Sequence, residues 1–341
     1  MKPTIKDVAN KSGVGLSTVS RVINDNYPVS DDVRNRVNAA IDELGYSPNA
    51  IARSLKSRKT QLIGVVVDDI SNQFYMQLVK GIEDVVKSKN YSIIISSSGG
   101  NPDRENTIIN RFIDNCVDGL IVATCQTDDS AFDRARKCRV PLVMVDRHVP
   151  HSRFDAVVED NEANSFELIN HLISCGHRRI CVVNGVKGVS TVDTRYMGYH
   201  RAMTENGIEI DPRLVVYRDS GEEIGTILRS LFNSLPKENM PTAIFATNNL
   251  RCETVIEVLL EMGLRVPDDI SLVSYGDIYK PWMFYSRLTH ITQDMSRLGK
   301  KTAELMLEKL LGQGSSNARE YIISSEIVYG DSVKNLSEVM S

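Results

Sequence analysis

Residues 4–24 read Thr-Ile-Lys-Asp-Val-Ala-Asn-Lys-Ser-Gly-Val-Gly-Leu-Ser-Thr-Val-Ser-Arg-Val-Ile-Asn. Thr4 stands as an N-cap before Ile5, Val8 and Ala9, whose spacing predicts a short helix ending near Lys11. Residues 12–15 hold two glycines and form a turn. Helical spacing resumes over 16–23, with Val19 and Ile23 inward. Two short helices joined by a glycine turn make a helix-turn-helix unit. Its second helix can enter the major groove of DNA with its N-terminal residues at base edges. Leu16, Ser17 and Thr18 occupy that end, and Arg21 lies one turn on. Arginine can pair with guanine, serine and threonine can read a base or hold a phosphate, and leucine can touch a thymine methyl. A plain three-helix domain with a polar surface has the same helical pattern, so the neighbouring segments carry the decision.

Working outward, residues 24–28 break the helix. Ser30 is placed to cap a third helix in front of Asp31 and Asp32, whose charge suits a helix N-terminus. Val33, Val37, Ala40, Ile41 and Leu44 give that helix an apolar stripe ending at Gly45. The stretch that follows, Tyr46-Ser47-Pro48-Asn49-Ala50-Ile51-Ala52-Arg53-Ser54-Leu55-Lys56, could make two helical turns, too few to be stable alone. Leu55, flanked by Arg53 and Lys56, suits a wedge in a kinked minor groove, although composition alone fits a basic linker. Charge separates the two parts of the chain. Residues 1–59 carry ten Lys and Arg against six Asp and Glu, and the remainder carries 30 against 38. The overall charge of −4 thus hides a basic head of +4 on an acidic body of −8.

The segments Ile5-Lys6-Asp7-Val8-Ala9, Thr18-Val19-Ser20-Arg21-Val22-Ile23-Asn24, Val29-Ser30 and Leu44-Gly45-Tyr46-Ser47-Pro48-Asn49 with Ala52-Arg53-Ser54-Leu55 resemble the head and hinge of the lactose/galactose repressor (LacI/GalR) family. The resemblance implies a recognition helix that reads half of a near-palindromic double-stranded operator and a hinge helix that folds on DNA, with Leu55 as its wedge. The DNA-contacting residues it implies are Thr4, Leu16, Ser17, Thr18, Arg21, Asn24, Tyr46, Asn49, Ala52, Arg53, Leu55 and Lys56. Gly15 departs from the pattern, since the family usually caps the recognition helix with serine.

With 341 residues, 42% hydrophobic and 25% charged, the rest of the chain is long enough and apolar enough for a sizeable core. It alternates strand-like runs (63–67, 92–96, 120–123, 142–145, 156–158, 180–183, 214–217, 243–246, 272–275) with helical spacings (74–86, 107–115, 164–174, 196–206, 224–235, 252–262). Such repetition predicts an α/β fold with parallel sheets, and about ten strands fit two doubly wound lobes better than one. The resemblance implies the two-lobed architecture of type I periplasmic-binding proteins, with three crossovers. The expected division is a helix-turn-helix head over 1–47 and a hinge over 48–60. A first lobe covers 61–161 with 292–320, and a second covers 162–291 with 321–332.

Open parallel sheets bind ligands beyond the carboxyl ends of their strands, so the site is expected in the cleft between the lobes. Residues following strands there include Asp68, Asn72, Arg147 and Asn249. The expected ligand-binding set is Ser71, Phe74, Tyr75, Asp146, Asp160, Lys187, Arg195, Asn248 and Asp277. This mixture of polar groups and aromatic rings suits sugar recognition. By resemblance Arg195 grips ligand oxygens, Asn248 is the cleft asparagine and Asp160 a cleft acid. Two departures remove negative charge: Gly276 replaces the first of an aspartate pair, and Asn249 stands where aspartate is usual. With Lys187 and Arg195 nearby, they favour an anionic effector, such as a sugar acid or sugar phosphate.

No nucleophile elbow, P-loop, dinucleotide fingerprint or metal-ligand spacing is present, so no catalysis, cofactor or metal is expected. Six scattered cysteines read as reduced cytosolic thiols. No signal peptide or membrane-length apolar run is legible, so a cytoplasmic protein with no membrane role is expected, and the resemblance implies a nucleoid-associated homodimer. A sugar-binding transport component would explain the lobes but not the basic head. A sugar-active enzyme lacks a catalytic constellation. A family member answering to a protein co-repressor is a further alternative, against which the many polar cleft residues favour a small ligand.

Overall fold

The computed structural model describes residues 3–25, 27–47, 59–218, 223–279, 285–315 and 317–337. They form two compact units, 1–60 and 61–341. The head comprises α1 (Ile5–Ser12), α2 (Leu16–Asn24) and α3 (Asp31–Leu44). Val8, Ala9, Val19, Val22, Val37 and Ala40 form its core. The Asp7 carboxylate accepts from the Thr4 backbone N–H at 2.8 Å and its hydroxyl at 2.7 Å, fastening the start of α1. Gly13, at φ 67°, ends α1 in the left-handed conformation that favours glycine. Ser30 occupies the N-cap of α3 but makes no side-chain capping bond. The hinge residues 48–58, and with them Asn49, Ala52, Arg53, Leu55 and Lys56, lie outside the described residues.

The body holds two six-stranded sheets. The first contains β1 (Leu62–Val67), β2 (Ser92–Ser97), β3 (Gly119–Val122), β4 (Leu142–Val145) and β5 (Asp155–Glu159). Between these strands run α4 (Gln73–Val86), α5 (Pro102–Asp114) and the short α6 (Asp133–Lys137). After β5 come α7 (Asn161–Ser174), β6 (Ile180–Val183), α8 (Ser190–Glu205), β7 (Val215–Val216), α9 (Ile224–Ser234), β8 (Ala243–Ala246), α10 (Asn249–Glu261), β9 (Ser271–Tyr275) and β10 (Thr289–Ile291). The chain then returns through α11 (Met295–Leu310) and β11 (Glu320–Ile323) to finish with β12 (Ile327–Val328).

Strand order is β11-β5-β4-β3-β1-β2 in the first sheet and β12-β10-β9-β8-β6-β7 in the second. All named pairings are parallel except that of β12 with β10. Near-continuous apolar strands of this kind are the mark of sheets covered on both faces. Each lobe buries two apolar layers, one on either side of its sheet. In the first lobe α11 packs across α4, and their approach is close enough that a Cβ at Gly299 would fall 2.2 Å from the Leu78 carbonyl oxygen.

One domain boundary is corrected. The sequence reading assigns the segment from 321 to the second lobe, yet β11 joins the first sheet, with Tyr321 opposite Val157. Tyr321 and Ile323 pack on the first-lobe core, and Arg319 N–H donates to the buried Asp155 carboxylate at 2.8 Å. The third crossover therefore falls between Ile323 and Ile327. The three crossovers are then Glu159 to Asn161, Ile291 to Met295, and Ile323 to Ile327.

Candidate functional site

The parallel topology sets the carboxyl ends of both sheets toward a cleft between the lobes. On the first lobe Asp68 follows β1, and Asp146 and Arg147 follow β4. Arg147 Nη2 donates to Asp68 Oδ2 at 3.0 Å, and its Nε lies 3.9 Å from Asp146 Oδ2. Asp146 is 5% exposed and has a left-handed backbone at φ 63°, a conformation aspartate tolerates better than most residues. Burial raises its pKa, while Arg147 and Arg195 pull it back down. Tyr75, on the first turn of α4, is buried beside the same charges, with Phe74 edge-on to it at 4.9 Å between ring centres.

Arg195 projects from α8 of the second lobe. It is 5% exposed. Its Nε donates to Asn161 Oδ1 at 2.8 Å and its Nη1 to the Thr247 carbonyl at 2.7 Å. Its guanidinium lies 3.6 Å from the centre of the Tyr275 ring. The Tyr275 hydroxyl accepts from Asn164 Nδ2 at 3.0 Å. Bonds reach directly across the lobes: Asn249 Nδ2 donates to Asn72 Oδ1 at 3.3 Å, and the His148 N–H to Ser190 Oγ at 3.1 Å.

Of the expected ligand-binding residues, the structure gathers Phe74, Tyr75, Asp146 and Arg195. Others have local duties. Ser71 donates to Asp69, and Asn248 and Asp160 accept from backbone N–H groups at the starts of α10 and α7. Asp277 is exposed, with its carboxylate on the Ile278 N–H and 4.0 Å from His290 Nε2. Lys187 stands over the Tyr217 ring at 4.4 Å. At Gly276 (φ 92°) a Cβ would lie 2.5 Å from Gln293 Oε1, so the Gln293 side chain fills the space a side chain at 276 would take.

Glu159 escaped the sequence reading. It is the buried acid at the hinge, adjacent to the exposed Asp160. One carboxylate oxygen accepts from Gln293 Nε2 at 2.6 Å and the other from Ser325 Oγ at 2.8 Å. These three residues sit in or beside the three crossovers, so one carboxylate fastens all of them. Burial pushes its pKa up to about 6, against the pull of Arg195, Gln293 and Ser325. A carboxyl raised from 4.5 binds more protons folded than unfolded between pH 4.5 and 6, so stability falls as pH rises through that window. Glu159→Gln keeps an acceptor and removes the titration. We expect the variant to lose this pH slope and to be more stable at pH 7 by about 1–2 kcal/mol. Urea unfolding at pH 5 and pH 7 measures both, and a loss of stability at pH 7 would show that the charge itself holds the hinge.

In the head, Leu16, Ser17 and Arg21 are exposed on α2, with Thr18 half-buried. Arg21 lies 4.9 Å from the centre of the Tyr27 ring, which steadies its guanidinium at the surface. Asn24 bonds back to the Ser20 carbonyl at 2.7 Å. Tyr46 packs against the head core. His177 is structural, held between Thr242 Oγ1 and the Lys334 carbonyl. Among the described residues no cluster of His, Cys, Asp or Glu could hold a metal, and no helix is long and apolar enough to cross a membrane.

This combination of a small helix-turn-helix head and a two-lobed, ligand-binding body defines a class of bacterial transcription regulator. Residues 4–49 match the bacterial regulatory proteins of the lacI family, and 169–333 match a periplasmic binding protein-like domain. The chain is 32% identical over 335 residues to the HTH-type transcriptional repressor PurR of Photobacterium profundum, covering 98% of this chain and 99% of that one. It is 33% identical over 307 residues to catabolite control protein A of Priestia megaterium, covering 90% and 92%. The lac repressor dimer bound to operator and the anti-inducer ONPF superposes with a TM-score of 0.83 at 26% identity, over 98% of this chain and 100% of that one. The regulator CelR in complex with cellobiose gives 0.70 at 28%, over 97% and 99%. The chain belongs to the lacI family: it is a DNA-binding transcriptional repressor controlled by a small-molecule effector.

Proposed function

We propose that this repressor acts in the bacterial cytoplasm, on the nucleoid, as a homodimer whose two heads read the halves of a near-palindromic operator. Its effector is a small sugar-like polyol, in its acid form, held between the lobes. The observation that carries this reading is the convergence of Asp68, Tyr75, Asp146 and Arg147 from one lobe with Arg195 and Tyr275 from the other. Carboxylates and a guanidinium can share a ligand's hydroxyls, and the aromatic rings can cover its apolar faces. A ligand that touches both lobes changes the angle between them, and linkage then couples ligand to DNA affinity.

Selection of bound duplexes from a random library tests the DNA half of this reading. We expect a near-palindromic consensus. Arg21→Ala should weaken binding to it by about tenfold or more, as loss of one arginine–base contact costs about 1–3 kcal/mol. Selection of an asymmetric site, or unchanged affinity in the variant, would count against the assignment of α2 as the reading helix.

A further inference from the structure

We propose that the second-lobe rim of the cleft holds a terminal oxyanion of the effector, carboxylate or phosphate, with Arg251 as its main grip and Arg218 as its second. This rests on the reading of the cleft as the effector site. Arg251 lies in the first turn of α10, at the carboxyl end of β8. Its Nε is buried and meets no acceptor among the described residues. Arg251 as a whole is half-buried, and a buried N–H without an acceptor is costly unless a ligand supplies one.

The charges facing Arg251 reinforce this. Burial lowers its pKa, and the neighbouring positive charges of Arg218 and Arg147 lower it further. Two acids oppose that effect, Glu223 and Asp68. Asp68 is already bonded to Arg147, and Glu223 is exposed at the start of α9. Like charges gathered in a cleft mark a place where an anion is brought in.

Of the other cleft cations, Arg147 also has a buried Nε that meets no acceptor among the described residues, but its charge is offset by Asp68 and Asp146. Arg195 spends its Nε and Nη1 on Asn161 and Thr247. Lys187 stands on the Tyr217 ring. At position 249 a neutral amide stands where the family usually has aspartate, and it reaches across to Asn72. On the first lobe Asp68 and Asp146 flank Arg147 and offset its charge, whereas on the second Arg251 and Arg218 are neighbours of like charge. A polyol with one anionic end is expected to place that end toward Arg251.

The test is a thermal-shift and calorimetric comparison on the full-length protein with D-gluconate, D-glucose 6-phosphate, inorganic phosphate and D-glucose. We expect an anionic sugar to bind most tightly, and the gluconate and 6-phosphate arms separate carboxylate from phosphate. Arg251→Gln should weaken that ligand at least tenfold and Arg218→Gln severalfold. Arg251→Lys should recover part of the affinity, and an unchanged melting temperature confirms folding. D-glucose as the tightest ligand, or an anionic ligand insensitive to Arg251→Gln, would overturn the subsite while leaving the cleft as the effector site. Failure of all four probes to bind would count against the sugar-acid effector itself, and the subsite would fall with it.

Discussion

Arg195→Ala is expected to abolish the effector response and to lower stability by about 3 kcal/mol. The guanidinium is almost wholly buried and joins three elements: α8 that carries it, the start of α7 through Asn161, and the end of β8 through Thr247. Truncation strands two buried acceptors, each costing about 1–3 kcal/mol, and removes the cation from the Tyr275 face. Relief from burying a charge offsets part of this. Arg195→Lys should recover little, because a compact ammonium cannot serve two acceptors in a fork while lying flat on a ring. Melting curves and operator titrations with and without effector measure both effects. The variant should still bind operator in the absence of effector. A normal melting point together with a normal effector response would refute the role given to Arg195.

Gly299→Ala is expected to destabilise the first lobe by about 2–3 kcal/mol. The sign is informative, because in an exposed helix the same change would stabilise by up to about 1 kcal/mol. Here α4 and α11 cross at their glycines. A Cβ at Gly299 would sit 2.2 Å from the Leu78 carbonyl oxygen, and one at Gly81 would sit 2.3 Å from that of Ser296. Backbone cannot move aside as a flexible side chain can, so the helices must separate and loosen Leu78, Ile82 and Leu298 beneath them. Chemical denaturation compares the variant with the wild type. A gain in stability would mean that the crossing is looser than described.

Much of this architecture was legible because its signals are local. The three head helices follow from caps, glycines and a 3.6-residue apolar repeat, and the strands from β1 to β9 from short apolar runs. The lobe of β11 was not legible. Glu-Tyr-Ile-Ile suits either sheet, and the choice is made by its pairing with β5, beside which Arg319 meets Asp155 across 164 residues of sequence. The site was partly legible. Residues after strands include Tyr75, Asp146, Arg147 and Arg195, but not which of two adjacent acids turns inward. All five residues of β5 are buried, so alternation could not single out Glu159. The preference of aspartate for N-caps could have done so, by assigning Asp160 to α7 and freeing Glu159 for the interior. Arg251 carries no signal in sequence, since its meaning depends on the absence of an acceptor.

Three chain crossings pinned at one carboxylate also limit the kind of motion available to the lobes. A single crossing would act as a swivel, leaving twist and slide free. Three crossings that meet at Glu159 hold that point stationary, so the lobes can tilt about it but cannot readily translate past one another. Tilt about a fixed pivot amplifies displacement with distance: a small closure of the cleft beside Arg195 becomes a larger excursion at the far end of each lobe. The buried acid thus behaves as a fulcrum, and the length of the lobes is the gain of the device.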